Sequence, residues 1–402
     1  MTDLVVSREL GPSRLESWKL KQEYWTLNLL RGEHLCETLL INSLPPDTDK
    51  IFCSQWLDHR KILFGTKCNK LMCYDSKTRK TCLLPTLPPS DDAEHVEVAG
   101  GIHALEANPS QTVLATGATH ANDIAFYRLP GMEPISVGHK AHTDSIFDLA
   151  WLDEEHVVTC ARDSKLALWR VNDPLDSLLL SSGKANIKNV DMTTLKLEYH
   201  NALVASPCQN ADKLRAVLFN SDSKEIATIS LNAYIHVWDP QEFRQKYSRK
   251  LPNPYENVCL AMHTSHKMYG VGSKGHLSLI DARTLQTIAK VPTKFSNCGV
   301  RSLSFTDTLV TIGTGIGAIF FYDLRTGAYL NTDDTWERPH AVALRTSPGI
   351  IPPRARVDEM FANMGYTPAI FTHSYNQSKT QLFAAGGPLP ADLKGVYAGI
   401  WQ

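Results

Sequence analysis

The chain has 402 residues, 43% of them hydrophobic and 21% charged, and its 41 basic and 42 acidic side chains leave a formal net charge of −1. A near-neutral globular composition gives no general attraction to nucleic acid or to an anionic membrane, so any electrostatic function must be local. No apolar run reaches the length needed to span a bilayer, and Met1 to Leu10 lacks the apolar core of a secretion signal, so a soluble intracellular protein is expected.

Residues 1–36 read as a helical segment. Pro12-Ser13 is a start signal, Leu15, Trp18, Trp25 and Leu29 follow a three-four spacing, and Gly32 is a stop. Leu20, Tyr24 and Leu27 add a second apolar stripe. A helix apolar on more than one face needs burial on more than one side, against its own fold or inside a partner.

From residue 37 to 402 the chain repeats with a period of about 40 to 45 residues, the spacing of propeller blades, and seven copies can be aligned. The clearest starts at His142 and runs through Ile146 to Trp151, Val157 to Thr159, a turn at Arg162-Asp163, and Leu166 to Trp169. Alternating apolar residues between tight turns read as strands a, b and c of one blade. Further copies start at Leu214 and Val300, and weaker ones near Ile51, Ile102, Asn257 and Ile370. One ring therefore absorbs a length that would otherwise suggest two or three domains. The last blade, with strands near Ile370, Leu382 and Tyr397, lacks an outer strand, and the spare extended stretch Thr38 to Leu44 is expected to supply it. Stretches 173–212 and 331–369 exceed ordinary connections and are set apart as insertions, the second largely irregular because of Pro348, Pro352 and Pro353.

Little in the chain points to catalysis. Nine scattered cysteines without a C-x-x-C pair fit reduced core thiols rather than disulfides or a zinc site. None of the 15 histidines has ligand-like or triad-like spacing to a second candidate. Gly313, Gly315 and Gly317 lie between strands, without the helix N-terminus a phosphate loop requires, and read as a b-to-c turn. No metal, cofactor or catalytic residue is expected.

Phasing the blades brings out one constellation. The position after the first apolar residue of strand a is Phe52, His103, Phe147, Arg215, Val258, Arg301 and Phe371, and it faces the mouth of the central channel. Lys67 and Arg162 enter b-to-c turns on the same rim, and Lys213 precedes Arg215 by two residues. Two cations roughly 8 Å apart at an effective dielectric near 20 repel by about 2 kcal/mol, so such a cluster is costly unless acids or an anion answer it. Asp163 and Asp212 are the neutralising acids expected in part. Arginine forks suit carboxylates and phosphates, and a narrow funnel suits a chain end.

His142, Thr159, Asp163 and Trp169 resemble the hydrogen-bonded tetrad of the WD-repeat family. Ile280-Asp281-Ala282-Arg283 and Tyr322-Asp323-Leu324-Arg325 resemble the docking box of WD-repeat receptors in cullin-4 ligases. Ser54-Gln55-Trp56-Leu57, Gly65-Thr66-Lys67-Cys68-Asn69, Gly101-Ile102-His103-Ala104, Glu256 to Ala261, Asp334-Thr335-Trp336 and Ala385 to Pro390 leading to Tyr397-Ala398-Gly399 resemble the DNA damage-binding protein 1 and cullin-4 associated factors, in the branch numbered twelve. The resemblance implies a non-catalytic, cytoplasmic and nuclear substrate receptor of a cullin-4 RING ubiquitin ligase, reading acidic, Glu-ending C-terminal degrons. Lys67, Arg162, Lys213, Arg215 and Arg301 stand where its basic pocket falls. Trp18, Trp25, Leu29, Asp281, Arg283, Asp323 and Arg325 would dock the adaptor. The alternative is a propeller scaffold that binds a phosphorylated protein or an inositol phosphate.

Overall fold

A computed structural model describes residues 37–90, 100–171, 197–254, 256–295, 298–331, 342–349 and 367–402. The expected N-terminal helix, with Trp18, Trp25 and Leu29, lies outside the described residues. The remainder forms seven antiparallel sheets, each built on four consecutive strands a to d or their equivalents, which are the blades of a β-propeller.

Hydrophobicity falls from the ring's interior to its rim. Strand b is almost wholly buried in every blade with a full ladder, as in His156–Ala161, Glu225–Ser230 and Leu309–Thr314, because neighbouring blades cover both of its faces. Strand d alternates or is exposed, as in Arg244–Lys250 and Thr287–Pro292. Blade interfaces are the core: Phe383, Ala385 and Ile400 of blade seven pack with Ile62, Phe64 and Tyr74 of blade one. Each such side chain, fully buried, contributes roughly 1.5–3 kcal/mol.

Polar staples fix one blade to the next. Gln55 Oε1 accepts the Ala107 N–H at 2.8 Å, Glu106 Oε2 that of Trp151 at 3.3 Å, and Asp148 Oδ2 that of Val217 at 2.9 Å. Burial raises Glu106 to about 8 and Asp148 to about 7. Blade three contains the expected tetrad: Trp169 Nε1 donates to Thr159 Oγ1 at 2.9 Å, His142 Nε2 meets the same oxygen at 2.7 Å, and His142 Nδ1 lies 3.4 Å from Asp163.

The ring closes where expected, with a shorter strand. Glu37–Leu39 pairs with Tyr397–Trp401 in the register Glu37↔Trp401, Thr38↔Ile400 and Leu39↔Gly399. The extension stops there because residues 41–43 tighten into a 3-10 turn, with Ser43 N and Oγ both donating to the Leu40 carbonyl. Pro45 and Pro46 then offer no N–H to a ladder.

Both stretches outside the repeat contribute strands. Val204–Pro207 is the outer strand of blade three, and Glu198–Asn201 runs parallel to Glu133–His139 on the edge of blade two. Ala343–Arg345 pairs with Ala318–Asp323 in blade six. Residues 315–317 form a b-to-c turn, as expected, with Gly317 at φ +68°.

Candidate binding site

All seven phased residues line one cavity of about 480 Å³ at the end of the channel where the a strands begin. The cause is local. Strand a carries a β-bulge at this position in five blades, with pairing shifts between Ile51/Cys53, Ile146/Asp148, Leu214/Ala216, Val300/Ser302 and Ile370/Thr372. A bulged residue leaves the ladder and is re-aimed, here into the channel.

The layer has two halves. Blades seven, one, two and three form a continuous aromatic arc: Phe52 meets Phe371 edge-on at 5.6 Å and stacks on His103 at 4.3 Å, and His103 meets Phe147 edge-on at 4.8 Å. His103 belongs with the aromatics, since burial first and then Arg215 hold its pKa down to about 3. Its Nε2 lies 2.7 Å from the Gly100 carbonyl, which a neutral ring satisfies as a donor. Blades four to six supply Arg215, Val258 and Arg301.

Arg215 has an unusual environment. Its guanidinium carbon lies 4.2 Å from the Phe147 ring centre, Nε is buried without a hydrogen-bond partner, and no carboxylate among the described residues lies within 4.0 Å. Burial, then the charge of Arg301, lowers its pKa. Arg301 Nη2 is held by Glu256 Oε2 at 2.9 Å, but its Nε is also buried and unsatisfied. Gly299 and Gly315 leave room beside it: a side chain at Gly299 would come within 3.4 Å of Arg301 Nε.

The other cations are distributed unequally. Lys67 lines the cavity, donates to the Ala391 carbonyl and lies 3.8 Å from Asp49. Arg162 and Lys213 are not among the lining residues. Arg162 is half-exposed and 3.7 Å from Asp144, though its charge still contributes to lowering Arg215. Lys213 is half-buried in a left-handed conformation at φ +52°, its backbone N–H donating to Ser164 Oγ. The acids that answer the cluster also differ from those expected. Asp163 is occupied by the blade-three tetrad and its turn, and Glu256, Asp49 and Asp144 pair with the cations instead.

One contributor escaped sequence reasoning. Lys50 is only 2% exposed, and its ammonium donates to the carbonyls of Pro390 (2.9 Å), Ala391 (3.3 Å) and Leu393. This clamp brings Leu389 and Ala391 to the cavity wall. Burial lowers Lys50 to about 8. Gly101, at φ +78°, completes the seat: a side chain there would strike the Lys67 backbone at 2.6 Å. The sequence held a signal for the clamp only in Pro388-Leu389-Pro390, a rigid turn facing an otherwise unremarked lysine.

The two docking-box motifs occupy c-to-d turns. Strand direction puts these turns at the end of the ring opposite the b-to-c turns that carry Lys67 and Arg162. Asp281 accepts the N–H groups of Arg283 and Thr284, and Asp323 that of Arg325. Asp75 and Asp239 cap the corresponding turns in blades one and four, so the acid is a turn-former in all four of these blades. Of these four, blades five and six alone follow it with an exposed arginine, Arg283 and Arg325.

The family model described as the DDB1- and CUL4-associated factor 12 beta propeller matches residues 38–402, and the chain belongs to that family. Among curated relatives, DDB1- and CUL4-associated factor 10 of Danio rerio is 25% identical over 154 residues, 36% of this chain and 28% of that protein. The match thus spans little more than a quarter of that relative's length.

Proposed function

We propose that this member of the factor 12 propeller family is a substrate receptor of a cullin-4 RING ubiquitin ligase. It captures acidic C-terminal chain ends in the channel mouth and docks the adaptor DDB1 on the opposite face. The chain supplies specificity rather than catalysis, and the attached machinery carries out ubiquitin transfer. The observation that carries the reading is Arg215: a half-buried guanidinium with a buried, unsatisfied Nε, facing a cavity it shares with Arg301. Leaving a charged donor buried and unpaired is costly, so the arrangement favours a ligand that arrives with carboxylates.

In this reading the terminal carboxylate meets Arg215 and Arg301. Lys67 takes an adjacent Glu side chain inside the cavity, while Arg162 and Lys213 act from the outer rim. Charge-assisted hydrogen bonds of this kind are worth about 1.5–3 kcal/mol each. Aromatic rings on the other half of the layer exclude water and strengthen these contacts. The test is affinity purification of Arg215→Glu and Arg301→Glu chains beside wild type. Retained adaptor with lost Glu-ending clients is expected, and clients retained by both variants would refute the assignment.

A further inference from the structure

Blade one carries a second piece of chemistry away from the channel. Cys73, on strand c (Leu71–Asp75), and Cys82, on strand d (Lys80–Leu84), are direct partners in the antiparallel register. Directly opposed residues in such a pair have Cα atoms about 4.5 or 5.5 Å apart, depending on the hydrogen-bonding position. Both values fall within the range of about 4.4–6.8 Å that a disulfide bridges without backbone movement. Among the described residues no other strand pairing sets two cysteines opposite each other.

The two thiols differ in access. Cys82 is exposed, and its sulfur already reaches across to the Cys73 carbonyl at 3.4 Å. Cys73 is buried, and burial first, then the neighbouring Cys82, raises it to about 12. Cys82 therefore meets solvent and is placed to attack first, while Cys73, protonated at rest behind it, must give up its proton before it can resolve.

We propose that Cys73 and Cys82 form a reversible redox site, which a low-molecular-weight disulfide converts to a cross-strand disulfide. The Cys82 thiolate attacks one sulfur of glutathione disulfide, forms a Cys82–glutathione bond and expels one glutathione thiolate. Cys73 then passes its proton to the released glutathione thiolate and, as a thiolate itself, attacks the Cys82 sulfur, forms the Cys73–Cys82 bond and expels the second glutathione as a thiolate, which takes up the proton lost by Cys82. The two cysteines lose two electrons and two protons, and the glutathione disulfide gains both, leaving as two glutathione thiols. The site is independent of the channel. Its structural effect falls on the ring closure, because Thr81 Oγ1, beside Cys82, lies 2.9 Å from Ser43 Oγ, just beyond the closing strand.

The test incubates the full chain with glutathione disulfide, digests it without reduction and maps the peptides by mass spectrometry. A Cys73–Cys82 linkage reversed by dithiothreitol is expected. It should be absent in Cys82→Ser, whereas Cys73→Ser should trap glutathione on Cys82. The linked chain should also unfold at a higher temperature than the reduced one. Glutathione that stays on Cys82 of the wild type, a Cys82 that remains unmodified, or its linkage to another cysteine would each overturn the proposal.

Discussion

Replacing Arg215 by methionine should weaken ligand binding and strengthen the empty fold at once. In the unliganded ring the guanidinium sits on Phe147 at 4.2 Å, with Nε buried and unsatisfied. A buried donor without a partner costs about 1–3 kcal/mol, and the cation–π contact returns about 0.5–2 kcal/mol of that. Methionine keeps the stem and a favourable sulfur–aromatic contact without carrying a charge into the cavity. The net expectation is an unliganded chain as stable as wild type or about 1 kcal/mol more stable, a rise of roughly one or two degrees in unfolding temperature for a chain of this size. Binding should move the other way, by about 1.5–3 kcal/mol, or roughly ten- to hundredfold in Kd. Fluorescence anisotropy with a peptide ending in two glutamates measures the second quantity, and thermal unfolding of the same preparations the first. Loss of both stability and affinity would make Arg215 a structural residue and refute the reasoning, as would undiminished affinity.

Three other outcomes follow from the same geometry. Glu256 competes for Arg301 at 2.9 Å and is 40% exposed, so Glu256→Gln should tighten peptide binding by roughly two- to fivefold, the worth of a partly exposed ion pair; weaker binding in the same anisotropy assay would contradict this. Thr159→Val removes the oxygen shared by His142 and Trp169 and leaves buried polar groups unsatisfied, so it should cost about 2–4 kcal/mol in denaturant unfolding, and a loss under 0.5 kcal/mol would deny the tetrad its role. Stability should peak near pH 6.5. Glu106 and Asp148, raised to about 8 and 7, keep two protons that the unfolded chain releases, so their contribution is greatest at low pH and is lost as pH rises toward 8. His103, His200, His236 and His373, lowered to about 3, 4, 4 and 4, act in the opposite sense, because below pH 6.5 the unfolded chain takes up protons they refuse. Glu106→Gln with Asp148→Asn should flatten the alkaline side of a thermal-unfolding profile and steepen the rise between about pH 4 and 6.5; an unchanged alkaline side would count against the pair.

The repeat was legible because each blade buries the same strands, and the phased position was legible because a bulge recurs at the same step of strand a. That is why the sequence alone places residues as different as Phe52, Arg215 and Phe371 on one cavity. The neutralising acids were not legible. Asp163 is adjacent to Arg162 in sequence but turns back to His142, whereas Glu256 reaches Arg301 across 45 positions of chain. Neighbourhood in sequence says little about which way a turn residue points. Lys50 is illegible in the sequence for the same reason: its three carbonyl partners lie some 340 residues away, in a loop whose path only the closed ring defines. The strands Glu198–Asn201 and Val204–Pro207 are hidden in an apparent insertion because each has only four residues and none is fully buried: the first is mostly exposed, and the second alternates over too short a stretch to mark a strand.

The central claim is that cations from separate blades converge on the free end of a chain. Its most direct test compares two peptides identical except at the terminus, one ending in two glutamates with a free carboxylate and the other amidated, titrated against the full chain at fixed ionic strength. A loss of at least about tenfold on amidation is predicted, because one charge-assisted partner of Arg215 and Arg301 disappears. Equal affinity for the two peptides would contradict end recognition.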